Sequence, residues 1–375
     1  MIQYWNYLNE YKIEKKNFLY TINKVFNSGT LLLGDELKKF EKNYCKFNKS
    51  KFGLGVANGT DALFIALKCL NIGKDDEVIT VSNTAIPTVS AIINTGAKVK
   101  FVDIGQDFLI DVDKIKNLIT KKTKAIVAVH LFGQMCDMDK ILKIAKKYKL
   151  KVIEDCAQAT GATYKGAKAG TLGDVGCHSF YPTKILGAYG DGGFITTNNK
   201  KLFQKMHRFR FYGIDTLGIN KKWKNKYYSI DQGINSRLSE VQSSLLNLKL
   251  SKLYRSIKRR REIAEKYYEG LKNTNLELPI VNKGNLHVFH IFEVAHPKRE
   301  LIMKKMKNKK IDLGIHYKYP IHTMRGYKEF YNKKSPLKET EKKAKKIFSL
   351  PIYPLLKNNE IAKIIRNLKD IISKI

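Results

Sequence analysis

The order of hydrophobic segments predicts an α/β protein with a mostly parallel sheet, followed by a smaller α+β region. Two observations carry this. From about residue 50 to 200, short apolar runs alternate with stretches whose apolar residues recur at helical spacing. Past residue 235 the alternation stops, giving way to a long basic helical stretch and one further strand-like run. Strands alternating with helices need crossover connections, which keep neighbouring strands parallel and cover both faces of the sheet.

Each element follows in order. GLGVA, DEVITVS, AKVKFVDI, TKAIVAVHLFG, KLKVIEDC and GGFITTN read as strands, near-continuous apolar runs suited to burial on both faces. TDALFIALKCLNI, TVSAIINTG and DMDKILKIAKKYK read as the helices between them. Residues 236–271 read as one long helix, with an interruption allowed for, then LHVFHIFEVAHP as a strand and RELIMKKMKNKK as a helix. The predicted boundary lies near residue 250, giving a large domain over 1–250 and a small one over 251–375.

Composition narrows the function classes. The chain has 375 residues, 43% of them hydrophobic, enough for a sizeable core and against global disorder. No apolar run is long enough for a transmembrane helix, and the first sixteen residues lack the apolar stretch of a signal peptide. The five cysteines (Cys45, Cys69, Cys136, Cys156 and Cys177) are scattered without metal spacing, so reduced thiols in a cytoplasmic protein are expected. With 70 basic against 34 acidic residues the net charge is +36, and a basic nucleic-acid-binding protein is the rival reading from another class. Lysine is spread along the whole chain and no nucleic-acid motif is present, which favours an enzyme with lysine-rich solvated helix faces.

Three segments carry chemistry. In SFYPTKILGAYGDGG, Lys184 follows a strand-like segment and a proline, in a loop at the edge of the sheet. Ligands of α/β folds bind at such edges, and a lysine desolvated there becomes nucleophilic toward an aldehyde. In VIEDCAQATGA, Glu154 and Asp155 end an apolar strand, a costly place for an unpartnered carboxylate. Helix capping and metal binding are the ordinary alternatives, and the second is disfavoured because no His or further Asp lies at ligand spacing nearby. A carboxylate opposite a protonated pyridine nitrogen is the third reading. NGTDAL follows a strand and opens a helix, with Gly59 allowing close backbone approach and free amides that favour a phosphate, although Thr60 also suits a plain N-cap.

Together with GDELKKFEKNYCKF, GINSRLSEVQ, HYKYPIH and SLPIYP, these segments in this order resemble the DegT/DnrJ/EryC1/StrS sugar aminotransferases. The resemblance spans nearly the whole chain. It implies the aspartate-aminotransferase type of fold (fold type I), with a seven-stranded sheet, and pyridoxal 5′-phosphate as cofactor, cycling through pyridoxamine 5′-phosphate. It places Lys184 as the Schiff-base lysine, Asp155 at the pyridine nitrogen and Gln158 near the ring hydroxyl. Gly59, Thr60, Asp61 and Ser179 match the phosphate site, and Asn235 matches a residue that reaches the neighbouring subunit's phosphate, implying a homodimer with shared active sites. Tyr181, Arg237, His316, Tyr317 and His322 fall in segments that line the sugar-nucleotide pocket, and no metal is implied. Ala85, in SNTAIPT, stands where relatives often carry an aromatic residue stacked on the ring.

The activity so implied is transfer of an amino group from L-glutamate, leaving 2-oxoglutarate, to a nucleotide-linked keto-sugar. Tyr181 and Thr183 resemble the segment of enzymes acting at sugar C3. They point to a dTDP-linked 3-keto-6-deoxyhexose, and so to a 3-amino-3,6-dideoxyhexose for a surface glycan such as lipopolysaccharide. The alternative within the family is C4 of a UDP- or dTDP-linked 4-keto sugar.

Overall fold

The computed structural model describes residues 1–219, 221–223, 227–331 and 335–375. Its centre is a seven-stranded sheet of β1 (Phe52–Val56), β2 (Glu77–Val81), β3 (Lys98–Val102), β4 (Thr123–Val129), β5 (Lys151–Asp155), β6 (Val175–Ser179) and β7 (Gly193–Thr197). The spatial order is β1-β7-β6-β5-β4-β2-β3. β7 runs antiparallel to both its neighbours, and the other pairings are parallel. This is the mostly parallel α/β sheet that the alternating pattern predicts. The segment before Lys184 is itself a strand, β6, buried along its length.

The helices start where local chemistry stops the chain from remaining extended. α1 (Tyr7–Asn27) and α2 (Asp35–Asn48) precede the sheet, and α3 (Gly59–Cys69) follows β1. Asn58 caps α3 by accepting from the Asp61 amide at 2.8 Å. α4 (Ile86–Asn94) begins with Pro87 in its first turn, and α5 (Met138–Tyr148) is capped by Asp137. α6 (Lys200–Phe209) follows β7. The predicted long helix over 236–271 is two, α7 (Glu240–Leu250) and α8 (Leu253–Leu271). Glu240, the first residue of α7, accepts from the amides of Gly34, Glu36 and Leu37 and so ties the start of α2 to α7.

The expected strand over LHVFHIFEVAHP is much shorter, reduced to β8 (Phe292–Ala295), with only a two-residue pairing at Asn285–Leu286 before it. The residues between turn toward the large sheet. The amides of Val288 and Ile291 donate to the carbonyls of Gly133 and Phe132, so their backbone polarity is met outside any ladder. β8 pairs antiparallel with β9 (Ile347–Leu350), flanked by α9 (Arg299–Asn308), α10 (Lys338–Lys346) and α11 (Asn358–Ile372).

Two apolar cores result. One fills the space between the large sheet and its helices, from Leu37 and Leu54 to Ile195 and Leu246. The other gathers Ile2, Tyr267, Phe292, Phe348 and Ile364. α8 belongs to both: Leu253 and Ile257 pack in the first, Ile263 and Leu271 in the second. Among the described residues no helix is long and apolar enough to cross a membrane.

Candidate active site

The two acids at the end of β5 point to different places, as alternation along a strand requires. Glu154 is fully buried, with His130 Nε2 at 2.9 Å, and it accepts from the amides of Gly170, Leu172 and Gly173. Burial works against its ionisation, but His130 and these amides hold its carboxyl below the usual carboxylate range. Cys156 joins His130 and Glu154 in a buried group of metal-ligand type, which corrects the expectation that no such partner lies nearby. Both Glu154 oxygens are already engaged by hydrogen bonds, so the group reads as a structural brace for the 170–173 loop.

Asp155 is 4% exposed. Its Oδ2 accepts from Thr88 Oγ1 at 2.7 Å and its Oδ1 from the Ala157 amide at 3.1 Å. Thr88 Oγ1 also lies 3.0 Å from Thr84 Oγ1. Ala85 is the N-cap of α4, the helix that carries Thr88. Sequence reading missed Thr88, whose place in an ordinary helical pattern gives no sign of an acidic partner.

Lys184 lies in the loop between β6 and β7, where its amide donates to the Tyr181 carbonyl. Burial lowers its ammonium pKa to about 8, and the Asp155 carboxylate opposes that shift. The lysine is therefore poised to lose its proton near neutral pH, as a nucleophile and proton carrier must.

The phosphate-type turn sits beside them. A side chain on Gly59 would put its Cβ 2.8 Å from Ser179 Cβ, and one on Gly193 would meet the Asn58 carbonyl oxygen at 2.2 Å. Only glycines permit that approach. The Gly59 and Thr60 amides open α3 and have no intrahelical acceptor, while the next two are taken by Asn58. Two amides at a helix N-terminus beside the Ser179 hydroxyl make a cradle for a phosphate. Asp61 accepts from Ser236 Oγ at 2.7 Å, and that hydroxyl accepts from the Ala57 amide at 3.0 Å. This ties the turn to the segment carrying Asn235, which is exposed.

A cavity of about 560 Å³ opens on Lys184, lined among others by Tyr4, Gln158, Tyr181, Thr183, Arg260, His290, His316 and Tyr317. Gln158 is pinned between the Phe132 amide, which donates to it at 2.8 Å, and the Tyr317 hydroxyl at 2.9 Å. His316 Nδ1 lies 3.1 Å from Ser349 Oγ, and its ring stacks on Tyr4 with centroids 5.3 Å apart. Burial and then the Lys184 charge push the His316 pKa down to about 4, so its imidazole is neutral at pH 7.

Two expected pocket residues are elsewhere. His322 is buried, with Nδ1 2.7 Å from Ser82 Oγ and Nε2 3.1 Å from Glu341, and it is not among the residues lining this cavity. Arg237 lies over the Phe211 ring at 5.4 Å, also outside the lining. Conversely, Tyr4, Arg260 and His290 line the cavity without having been singled out. Arg260 falls in the stretch that reads as one long helix, and His290 in the run that reads as strand.

A desolvated lysine, a buried carboxylate and free helix-start amides beside a hydroxyl are groups that could hold a phosphorylated aldehyde with a basic ring nitrogen. Comparison with known proteins agrees. Residues 12–369 match the model of the DegT/DnrJ/EryC1/StrS aminotransferase family. A dTDP-3-amino-3,4,6-trideoxy-alpha-D-glucose transaminase of Micromonospora megalomicea subsp. nigra is 42% identical over 375 residues, covering 98% of each chain. A dTDP-3-amino-3,6-dideoxy-alpha-D-galactopyranose transaminase of Aneurinibacillus thermoaerophilus is 42% identical, covering 94% of each. The crystal structure of DesV from S. venezuelae, in complex with a ketimine intermediate, superposes with a TM-score of 0.93 at 32% identity, covering 99% of this chain and 97% of that one. The fold is that of the fold type I pyridoxal-phosphate aminotransferases. The chain belongs to the DegT/DnrJ/EryC1/StrS aminotransferase family and is a pyridoxal-phosphate-dependent sugar-nucleotide aminotransferase.

Proposed function

We propose that the enzyme transfers the amino group of L-glutamate to C3 of a dTDP-linked 3-keto-6-deoxyhexose, giving a dTDP-3-amino-3,6-dideoxyhexose for a surface glycan. The observation that carries the choice of C3 is the lining of the Lys184 cavity by Tyr181 and Thr183, the residues that distinguish the C3-type segment. Both 42%-identical relatives are named for 3-amino sugars, which supports the same reading.

The residues present fit the cofactor: two amides without intrahelical acceptors and the glycine-dependent cradle suit its phosphate, and the buried Asp155 suits its ring nitrogen. Gly59, Thr60 and Ser179 would hold its phosphate, with Asp61 bracing the turn through Ser236. Asp155 would keep the ring nitrogen protonated, and Gln158 would lie by the ring hydroxyl. When bound, the cofactor supplies an aldehyde that receives the amino group and a ring that spreads the electron pair freed at the reacting carbon. Lys184 would hold that aldehyde, and its amine, when free, would carry the proton at the reacting carbon of donor and then of sugar. His316 and Tyr317 orient the sugar in the cavity. Residues 1–250 form the cofactor domain and 251–375 the smaller one. Asn235, exposed in this chain, completes the phosphate site of a second subunit in a homodimer.

The test is turnover with L-glutamate against dTDP-linked 3-keto and 4-keto sugars, with product NMR. An amino group at C3 is expected; amination at C4 alone overturns the regiochemistry.

A further inference from the structure

His322 is sealed inside the protein, 3% exposed, with its ring against those of Phe101 on β3 and Tyr331, centroids 6.4 and 4.6 Å away. Its hydrogen bonds reach Ser82, the fully buried residue that follows β2. The His322 amide donates to Ser82 Oγ at 3.0 Å, and the Ile321 amide donates to the Ser82 carbonyl at 3.1 Å. The same Oγ lies 2.7 Å from His322 Nδ1. Because this hydroxyl already accepts from the amide, its own proton is donated to Nδ1. The ring proton therefore sits on Nε2, which donates to Glu341 Oε1 at 3.1 Å.

Glu341 is a fixed support. It lies near the start of α10, where the amides of Glu339 and Thr340 donate to Asp103, the residue after β3, at 3.1 and 2.9 Å. The ends of β2 and β3 are thus both gripped, one by the 321–323 turn and the other by α10. From Ser82 the chain leads directly to the acid of the site. Thr84 Oγ1 lies 3.0 Å from Thr88 Oγ1, and Thr88 donates to Asp155 Oδ2 at 2.7 Å. Thr84 and Thr88 are each 2% exposed, so a shift at Ser82 is passed on through packed groups rather than absorbed by water.

We propose that His322 is a positioning residue for Asp155: by clasping Ser82 it fixes the 82–88 segment, and with it the hydroxyl that orients the carboxylate. This rests on the aminotransfer reading above, in which Asp155 faces the cofactor's ring nitrogen, and deepens it. An apolar side chain at 322 would fill the same space but leave the Ser82 proton without an acceptor. The imidazole supplies that acceptor and a donor on its opposite edge, so one ring joins α10 to the segment that holds Asp155.

The experiment measures cofactor affinity by equilibrium dialysis, with steady-state kinetics, in His322→Gln, His322→Asn and Ser82→Ala. Thermal unfolding establishes that each variant is folded. Glutamine places a donor near Nε2 but no acceptor near Nδ1, whereas asparagine keeps the acceptor for Ser82 and gives up Glu341. A lost buried hydrogen bond corresponds to roughly fivefold. His322→Gln is therefore expected to lower kcat about fivefold and loosen the cofactor at least about threefold, with both KM values within about twofold. His322→Asn is expected to restore kcat and cofactor affinity to within about twofold of wild type. A cycle with Thr88→Val separates positioning from plain stability. Since both residues act through Asp155, the double variant should fall no more than about twofold below the worse single one. Full multiplication of the two losses overturns the proposal, as does a wild-type kcat in folded His322→Gln, or an equal loss in His322→Asn. Ser82→Ala is expected to match His322→Gln and decides the matter if that variant does not fold. Conversion of the cofactor's absorbance by L-glutamate in the wild type tests the underlying reading separately. No conversion sinks that reading, and conversion with unaltered kcat and cofactor affinity in the variants sinks the positioning role alone.

Discussion

Thr88 Oγ1 donates to Asp155 Oδ2 at 2.7 Å, joining the first turn of α4 to the last residue of β5. The bond fixes the rotamer of the carboxylate proposed to face the ring nitrogen. It is also one of only two hydrogen bonds that the Asp155 side chain accepts among the described residues.

Removing it should therefore disturb chemistry more than folding. Thr88→Val is nearly isosteric and is expected to cost about 1 kcal/mol of stability while lowering kcat about tenfold. Thr88→Ser keeps the hydroxyl and should stay within about twofold of wild type. Steady-state kinetics beside thermal melts check both, and a kcat unchanged in Thr88→Val would remove the positioning role.

The lowered pKa of Lys184, about 8, makes a statement about pH. Its amine must be neutral to attack an aldehyde, so cofactor uptake by cofactor-free enzyme should accelerate as pH rises through about 8 and then level off. Stopped-flow absorbance from pH 6 to 10 would show this. A rate still climbing tenfold per pH unit above 9 would mean an unperturbed lysine.

Gly59 makes the cofactor site sensitive to a single methyl group. Gly59→Ala places a Cβ 2.8 Å from Ser179 Cβ and should deform the phosphate cradle. The variant is expected to remain folded but lose cofactor at least about tenfold more readily, as followed by equilibrium dialysis. Wild-type retention would mean that the phosphate lies elsewhere.

Glu154 has a structural part. Glu154→Gln cannot satisfy the amides of Gly170, Leu172 and Gly173 together with His130, and is expected to cost about 3 kcal/mol. A carboxylate whose folded pKa is depressed contributes stability above its unfolded pKa and loses it as pH falls through the folded value. The wild type should therefore lose stability below about pH 4.5 more steeply than the variant in urea titrations.

How much of this was legible in the sequence depended on how local the signal was. β2, β4 and β5 were readable because burial on both faces demands unbroken apolar runs. Lys184 and Asp155 stood out because each departs from such a run at a strand end. His316 and His322 sit six positions apart in one segment, yet only the first reaches the cavity. The turn at Ile321–Thr323 docks just past the end of β2, where the Ile321 amide donates to the Ser82 carbonyl and the His322 amide to Ser82 Oγ. Arg260 was hidden because its burial depends on carbonyls contributed from residues 289, 290 and 352, which no local spacing reveals. The break between α7 and α8 falls at Ser251 and Lys252, neither a strong helix breaker, so only packing places it.

Lys184 is the residue proposed to bind the cofactor covalently. Borohydride reduction of the cofactor-loaded enzyme, followed by proteolysis and mass mapping, tests it most directly. A single phosphopyridoxyl adduct on Lys184, absent from Lys184→Ala, is the expected result. An adduct on another lysine, or an undiminished one in Lys184→Ala, would contradict it.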